Sequence, residues 1–190
     1  MTDFVHNNLK SELPPAFTLD VVDIATFNLP VFDESVIPAN VPKFASFSHP
    51  HSIAWSSAIA PFDAYVLITA CYNAGPPGGI KNAIDYLFNE IKGKPWLIIS
   101  YGIMGGGKAA ESLKGSLQAI GCKVVDTMPQ LAFSKKGPLQ FGMSEDVLLT
   151  MQGKIGEKSL DEWNEKRGEI LKGFEELKAC LMDDGETQAA

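Results

Sequence analysis

Residues 69–107, TACYNAGPPGGIKNAIDYLFNEIKGKPWLIISYGIMGGG, constrain what this chain can fold into more than any other stretch. Just before them runs Ala64-Tyr65-Val66-Leu67-Ile68, apolar without polar alternation, the pattern of a strand buried on both faces. It stops at Ala70-Cys71-Tyr72-Asn73-Ala74-Gly75-Pro76-Pro77-Gly78-Gly79, a segment that no regular element crosses. Apolar residues at three- and four-residue spacing (Ile80, Ala83, Ile84, Leu87, Phe88, Ile91) then predict a helix over 80–91, with Gly93 just past its end. A second buried strand, Trp96-Leu97-Ile98-Ile99, breaks at Ser100-Tyr101-Gly102-Ile103-Met104-Gly105-Gly106-Gly107. The order strand, loop, helix, strand, loop, helix places both loops at the carboxyl ends of parallel strands. Open α/β sheets bind their ligands at that edge.

A chain of 190 residues, 45% hydrophobic, fills one domain and is short for two. The expected domain spans 1–182, with a disordered tail over 183–190. A net charge of −7 argues against a nucleic-acid surface, and no basic cluster exceeds Lys135-Lys136. No apolar run approaches the roughly 18 residues needed to span a bilayer. Cys71, Cys122 and Cys180 are too scattered for a disulfide framework or a zinc site. A cytoplasmic protein without membrane contact is the expectation.

Outside the central stretch, 4–12 reads as a short helix ended by Pro14-Pro15. Residues 17–24 read as a strand near a sheet edge, and 25–47 as a long loop. A helix is expected over 49–60 with Ile53, Ala54, Ala58, Ile59 and Trp55 inward, and another over 108–120 stopped by Gly121. A strand is expected over 123–128 and a short helix within 145–152. A last helix begins at the capping-box pair Ser159 and Glu162 and carries Leu160, Trp163, Ile170, Leu171, Phe174, Leu177 and Leu181. Alternating strands and helices make the class α/β with a mostly parallel sheet.

Together, Tyr72-Asn73, Lys81-Asn82-Ala83-Ile84-Asp85, Gly93-Lys94-Pro95, and Ser100-Tyr101-Gly102 followed by Gly105-Gly106 closely resemble the NAD(P)H-dependent FMN reductases. Val22-Asp23-Ile24, Asn28-Leu29-Pro30 and Trp55 extend the resemblance, which covers about residues 17–133. It implies a flavodoxin-like three-layer sandwich that binds FMN. NADPH or NADH is the implied co-substrate, and quinones, free flavin or similar small molecules the acceptors. It also implies a cytoplasmic homodimer. The implied cofactor-binding residues are Cys71, Tyr72, Asn73, Ser100, Tyr101, Gly102, Gly105, Gly106 and Gly107. No side chain is assigned as a catalytic acid or base and none as a metal ligand, because hydride passes directly between stacked rings. Glycine turns let the backbone approach a flat ring, and backbone N–H groups at strand-to-helix turns stabilise negative charge near its N1. Tyr101 is the side chain expected against the ring. The Ser100–Gly107 turn is expected to be an open wall, so that Gly106→Val would block flavin and leave folding nearly unchanged.

The chain departs from the family pattern in two places. Ala70-Cys71 stands where the family usually has Pro-Glu. The family's first strand and Gly-Ser-rich phosphate loop have no counterpart, so the sheet is expected to lack its central strand and FMN and riboflavin to be poorly distinguished. Residues 17–24 must then pair directly with 64–69 or leave their backbone groups unpaired. A homodimer is expected through the 80–91 helix, with Tyr86 and Phe88 at the interface. The alternative reading is a non-catalytic relative acting through subunit association. Gly102 to Ala109 nearly matches a Walker A loop, but Ala109 lacks the hydroxyl that Mg²⁺ requires. His49-Pro50-His51 reads as a helix start rather than a metal site.

Overall fold

The computed structural model describes residues 1–41, 46–137, 139–140 and 143–188. In chain order its helices and strands are α1 (Thr2–Lys10), α2 (Pro50–Ile59), β1 (Tyr65–Ala70), α3 (Gly78–Asp85), β2 (Pro95–Gly102) and α4 (Gly107–Ile120). There follow β3 (Lys123–Val124), β4 (Gln130–Ala132), β5 (Leu139–Gln140), β6 (Met143–Ser144), α5 (Glu145–Thr150), α6 (Glu157–Glu165) and α7 (Arg167–Gln188).

β2 is the axis of the sheet. It pairs in parallel with β1 from Tyr65↔Trp96 to Ala70↔Tyr101. On its other side β3 pairs with Pro95 and Trp96, and β4 with Ser100, Tyr101 and Gly102. Its side chains alternate between two cores, as a strand's must. Trp96 and Ile98 join Trp55, Ile84, Leu113 and Leu117 from α2, α3 and α4. Leu97 and Ile99 join Val5, Leu9, Trp163, Ile170 and Phe174 from α1, α6 and α7. Helices therefore cover both faces of a parallel sheet, the three-layer α/β arrangement expected. β5 and β6 form a separate antiparallel pair.

Several local expectations need correction. The 80–91 helix stops at Asp85, because Glu90 turns its carboxylate back to accept the Phe88 N–H at 3.0 Å and the chain coils through 86–93. The 123–128 strand survives only as β3. Glu176 on α7 accepts from the Thr127 N–H and hydroxyl at 2.9 and 2.6 Å, drawing those groups out of the ladder before β4 resumes it. α2 buries Ser52, Trp55, Ser56 and Ile59 and exposes Ile53 and Ala54. Its face is set by polar anchors, Trp55 Nε1 to the Ala83 carbonyl at 2.9 Å and Ser56 to Glu90. The Ser159–Glu162 capping box does not form. Ser159 Oγ accepts from Ser134 N–H, while the buried Asp146 carboxylate accepts the Ser159 N–H. The last helix begins as α6, breaks at Lys166 and continues as α7 through Gln188. Part of the expected tail is thus helical backbone, and residues 189–190 lie outside the described residues.

Residues 17–24 form no strand. The chain takes no regular structure over 17–23 and closes into a 3-10 turn, Ile24–Phe27. Its side chains still alternate as a strand's would: Leu19 packs on one core, Val22 and Ile24 on the other. Among the described residues no strand lies on the far side of β1, so the ladder that would define these residues as a strand has no partner. The loop that follows is strapped to α3: Asn82 bonds Phe32 N–H and the Pro30 carbonyl, and Tyr86 donates to Asp33 at 2.8 Å.

Candidate functional site

β1 ends in a tight turn. Tyr72 and Gly75 exchange both backbone hydrogen bonds, at 2.9 and 3.0 Å, around Asn73 and Ala74. Both central residues have positive φ, 49° and 63°, the geometry of a type I′ turn. Asn tolerates that region, whereas a left-handed alanine is a strained position of the kind found at functional sites. Pro76 and Pro77 then aim the chain into α3, whose first residues Gly78 and Gly79 face open space. Among the described residues the N–H groups of Cys71, Asn73 and Ala74 take no partner.

β2 ends in the second turn. Gly105 N–H returns to the Gly102 carbonyl at 3.1 Å, and Ser100 Oγ donates to the Gly105 carbonyl at 2.8 Å. Gly106, at φ 85°, is the N-cap of α4. A Cβ there would stand 2.9 Å from Ser100 Cβ and from the Tyr101 carbonyl. Gly105 and Gly107 lie similarly close to Gln130 of β4. The glycines are thus required by the turn's own packing on β2 and β4, and Gly105 and Gly106 are buried. Gly106→Val must disturb the fold, contrary to the open wall expected from sequence. What this loop shows to solvent is Ile103 and Met104, 51% and 75% exposed, with the N–H groups of Ile103, Met104 and Gly106 unpaired among the described residues.

The two turns meet where a Cβ on Gly102 would touch Cys71 Cβ at 3.8 Å. Structure therefore brings Cys71, Tyr72, Asn73, Ser100, Tyr101, Gly102, Gly105, Gly106 and Gly107 to one edge, in different roles. Tyr72 is 65% exposed. Tyr101 is half-buried, edge-on to Phe133, and burial pushes its hydroxyl pKa up. Ser100 is fully buried and serves the turn rather than the surface.

Sequence reasoning missed the neighbouring hollow of about 490 Å³, lined by Ile103, Met104, Ala132, Phe133, Lys135, Lys136 and Glu162. Four of its residues lie in the irregular stretch after 128, where no periodicity marks them, and nothing in the sequence joins them to Ile103, Met104 and Glu162. Lys136 sits 3.1 Å from Glu162 and its hydrogen bond holds that carboxyl below the usual range. His49 caps α2 and Pro50 opens it, as the helix-start reading held.

An open parallel sheet with paired strand-end turns, exposed apolar side chains and unpaired backbone N–H groups at its carboxyl edge defines an α/β protein of the class that binds ligands at that edge. The model of the NADPH-dependent FMN reductase family matches residues 1–136. An NAD(P)H-dependent FMN reductase of Nectria sp. is 40% identical over 189 residues, 98% of this chain and 90% of that protein. Another, of Schizosaccharomyces pombe, is 35% identical over 84% of this chain and 75% of its own. A quinone reductase of Escherichia coli is 31% identical over 56% of this chain and 54% of that one. The flavoenzyme NAD(P)H:acceptor oxidoreductase FerB of Paracoccus denitrificans has the same flavodoxin-like fold, with TM-score 0.59 at 21% identity, covering 94% of this chain and 90% of its own. The chain belongs to the NADPH-dependent FMN reductase family and is an oxidoreductase of that type.

Proposed function

We propose that the carboxyl-edge turns hold the isoalloxazine ring of FMN and that the chain uses it to carry electrons from NADPH or NADH to quinones or similar small acceptors. The observation that carries this reading is the set of N–H groups on Cys71, Asn73, Ala74, Ile103 and Met104 unpaired among the described residues, on the same two turns as exposed Tyr72, Ile103 and Met104. A flavin needs both features: donors for its pyrimidine oxygens and an apolar surface for its ring. When bound, FMN would supply two-electron redox chemistry between the nicotinamide and the acceptor. The chain's part is positional. The two turns would hold the ring through their backbone N–H donors, and the start of α4 would add its dipole to stabilise negative charge there. Tyr72 and Met104 shield the ring from water, and Tyr101 props the second turn from behind. Cys71 contributes its backbone N–H, which is why a cysteine is acceptable where the family usually has glutamate. The 490 Å³ hollow beside Met104 is the place for the second substrate.

A homodimer completes the reading, though not through Tyr86, which is fully buried against Phe32 and Asp33. The outer surface beside α3 is instead the strapped loop, with Val31, Val36 and Ile37 exposed at 86%, 46% and 57%. The test is to titrate purified chain with FMN and riboflavin while following NAD(P)H oxidation with a quinone. FMN binding with quinone-dependent turnover is expected, with the two flavins bound within about tenfold because no described phosphate anchor separates them, a gap of about 1.4 kcal/mol. Absence of flavin binding at millimolar concentration overturns the site.

A further inference from the structure

We infer that the hollow beside Met104 takes a planar apolar molecule bearing an oxyanion (carboxylate, sulfonate or phosphate), and that Lys135 grips the charge. The inference rests on reading this hollow as the place for the second substrate, and it names the chemistry that substrate carries. No run of basic residues is longer than Lys135-Lys136 in this chain of net charge −7, and both lysines line the hollow. Ile103, Met104, Ala132 and Phe133 supply its apolar lining. Its volume of about 490 Å³ falls within the roughly 300–1,000 Å³ of small-molecule sites.

The two lysines are differently placed. The Lys136 ammonium lies 3.1 Å from Glu162, which raises its pKa, with Glu165 and Asp161 adding to the rise. Lys135 is exposed and has no carboxylate partner among the described residues. It donates instead to Met104 Sδ at 3.0 Å, a weak acceptor that leaves its charge uncompensated. Glu162 also lines the hollow, but Lys136 and the Ser134 hydroxyl, at 2.9 Å, already match it, so the rim keeps a positive charge in excess. The backbone that carries Lys135 is held from below. Ser134, just before it, is fully buried: its N–H donates to Ser159 Oγ at 2.9 Å, its hydroxyl donates to Glu162, and its carbonyl accepts from Ser144 Oγ. Partners on β6 and α6 therefore fix where the lysine pair starts, which reduces the ordering that binding must impose. An uncompensated ammonium at the mouth of an apolar hollow matches a ligand whose ring takes the lining and whose oxyanion takes the charge. Two substrate types have that chemistry: an acceptor with an acidic group on its ring, and the adenosine 2′-phosphate end of NADPH.

The test measures binding to the full chain by calorimetry without flavin, so its outcome is separate from that of the flavin titration. Naphthalene-2-sulfonate is compared with naphthalene-2-sulfonamide, and 2′-AMP with adenosine; in each pair only the first carries the oxyanion. At least one charged probe should bind about tenfold tighter than its neutral counterpart. Lys135→Gln should abolish that preference, Lys135→Arg should keep it, and added salt should weaken it by screening. A response from the naphthalene pair assigns the oxyanion to the acceptor, and one from the adenosine pair assigns it to the nicotinamide coenzyme. Equal binding of charged and neutral probes overturns the oxyanion while leaving the hollow as a substrate site, whereas no binding of any probe overturns both. A preference that survives Lys135→Gln, or that Lys136→Gln abolishes equally, overturns the assignment to Lys135.

Discussion

β1 and β2 carry almost the same kind of sequence, YVLITA and PWLIISYG, and end in very different surroundings. β2 has partners on both edges and is buried from Pro95 through Ser100. β1 has one partner, and its first four residues stay half-exposed although none is polar enough to want water. Buried apolar sequence states a demand for two covered faces and two paired edges, and neighbours decide whether it is met. The turns after the two strands repeat the contrast. The first, around Asn73 and Ala74, is exposed and leaves N–H groups unpaired among the described residues. The second packs its glycines onto Ser100, Tyr101 and Gln130.

The largest test of that contrast is truncation of matched leucines. Leu97 is fully buried and touches Gly173 of α7, so Leu97→Ala should lower stability by about 2–5 kcal/mol. Leu67→Ala, on the half-exposed strand, should lower it by no more than about half as much. Urea denaturation of both variants decides it, and equal losses would mean that β1 is as well covered as β2. Next come the turns. Gly106→Val should destabilise by roughly 1–3 kcal/mol or more, from positive φ and contact with backbone. Gly79→Ala, with nothing within 4 Å, should be neutral or gain up to about 1 kcal/mol. A Gly106→Val chain that melts like the parent would return the second turn to the open wall expected from sequence.

The smallest effect is pH-dependent and concerns the covered side of β2. The Glu176 carboxyl is held below its ordinary value first by the Thr127 hydroxyl, against the upward push of burial, with the Thr127 N–H adding to the lowering. A carboxyl depressed in the folded state stabilises above its unfolded pKa of about 4.5 and loses that contribution as pH falls through the lower folded value. Stability should therefore fall on acidification through and below that range. Glu176→Gln should flatten the slope of Tm against pH there, and an unchanged slope would remove Glu176 from the account. Glu34 behaves alike: burial raises its pKa, but the Ser52 side chain together with the His49 and Ser48 N–H groups outweighs this and leaves it lowered.

Much of the site was legible because its chemistry is local. Proline and glycine after an apolar run fix where a strand must turn, and alternation of elements fixes which edge the turns share. The nine residues expected at the site do meet at that edge. Sequence could not say that Gly105 and Gly107 serve internal packing, since that depends on Gln130, more than twenty residues away on β4. Nor could it foresee the hollow at Lys135, Lys136 and Glu162, which is assembled from β4, its trailing loop and α6.

By itself the sequence determined the class of fold, the positions of β1, β2 and α4, and the two turns, because periodicity and backbone sterics act within a few residues. Only the tertiary structure decided whether 17–24 would be a strand, where the 80–91 helix would end, and how 123–128 would be divided. The first and last turned on a partner distant in sequence, the ladder neighbour that 17–24 does not find and Glu176 reaching across to Thr127, and the helix end on Glu90 folding back onto the Phe88 N–H, a contact periodicity does not encode. A strand is a relation between two chains of hydrogen-bonding groups, so no segment can specify one alone.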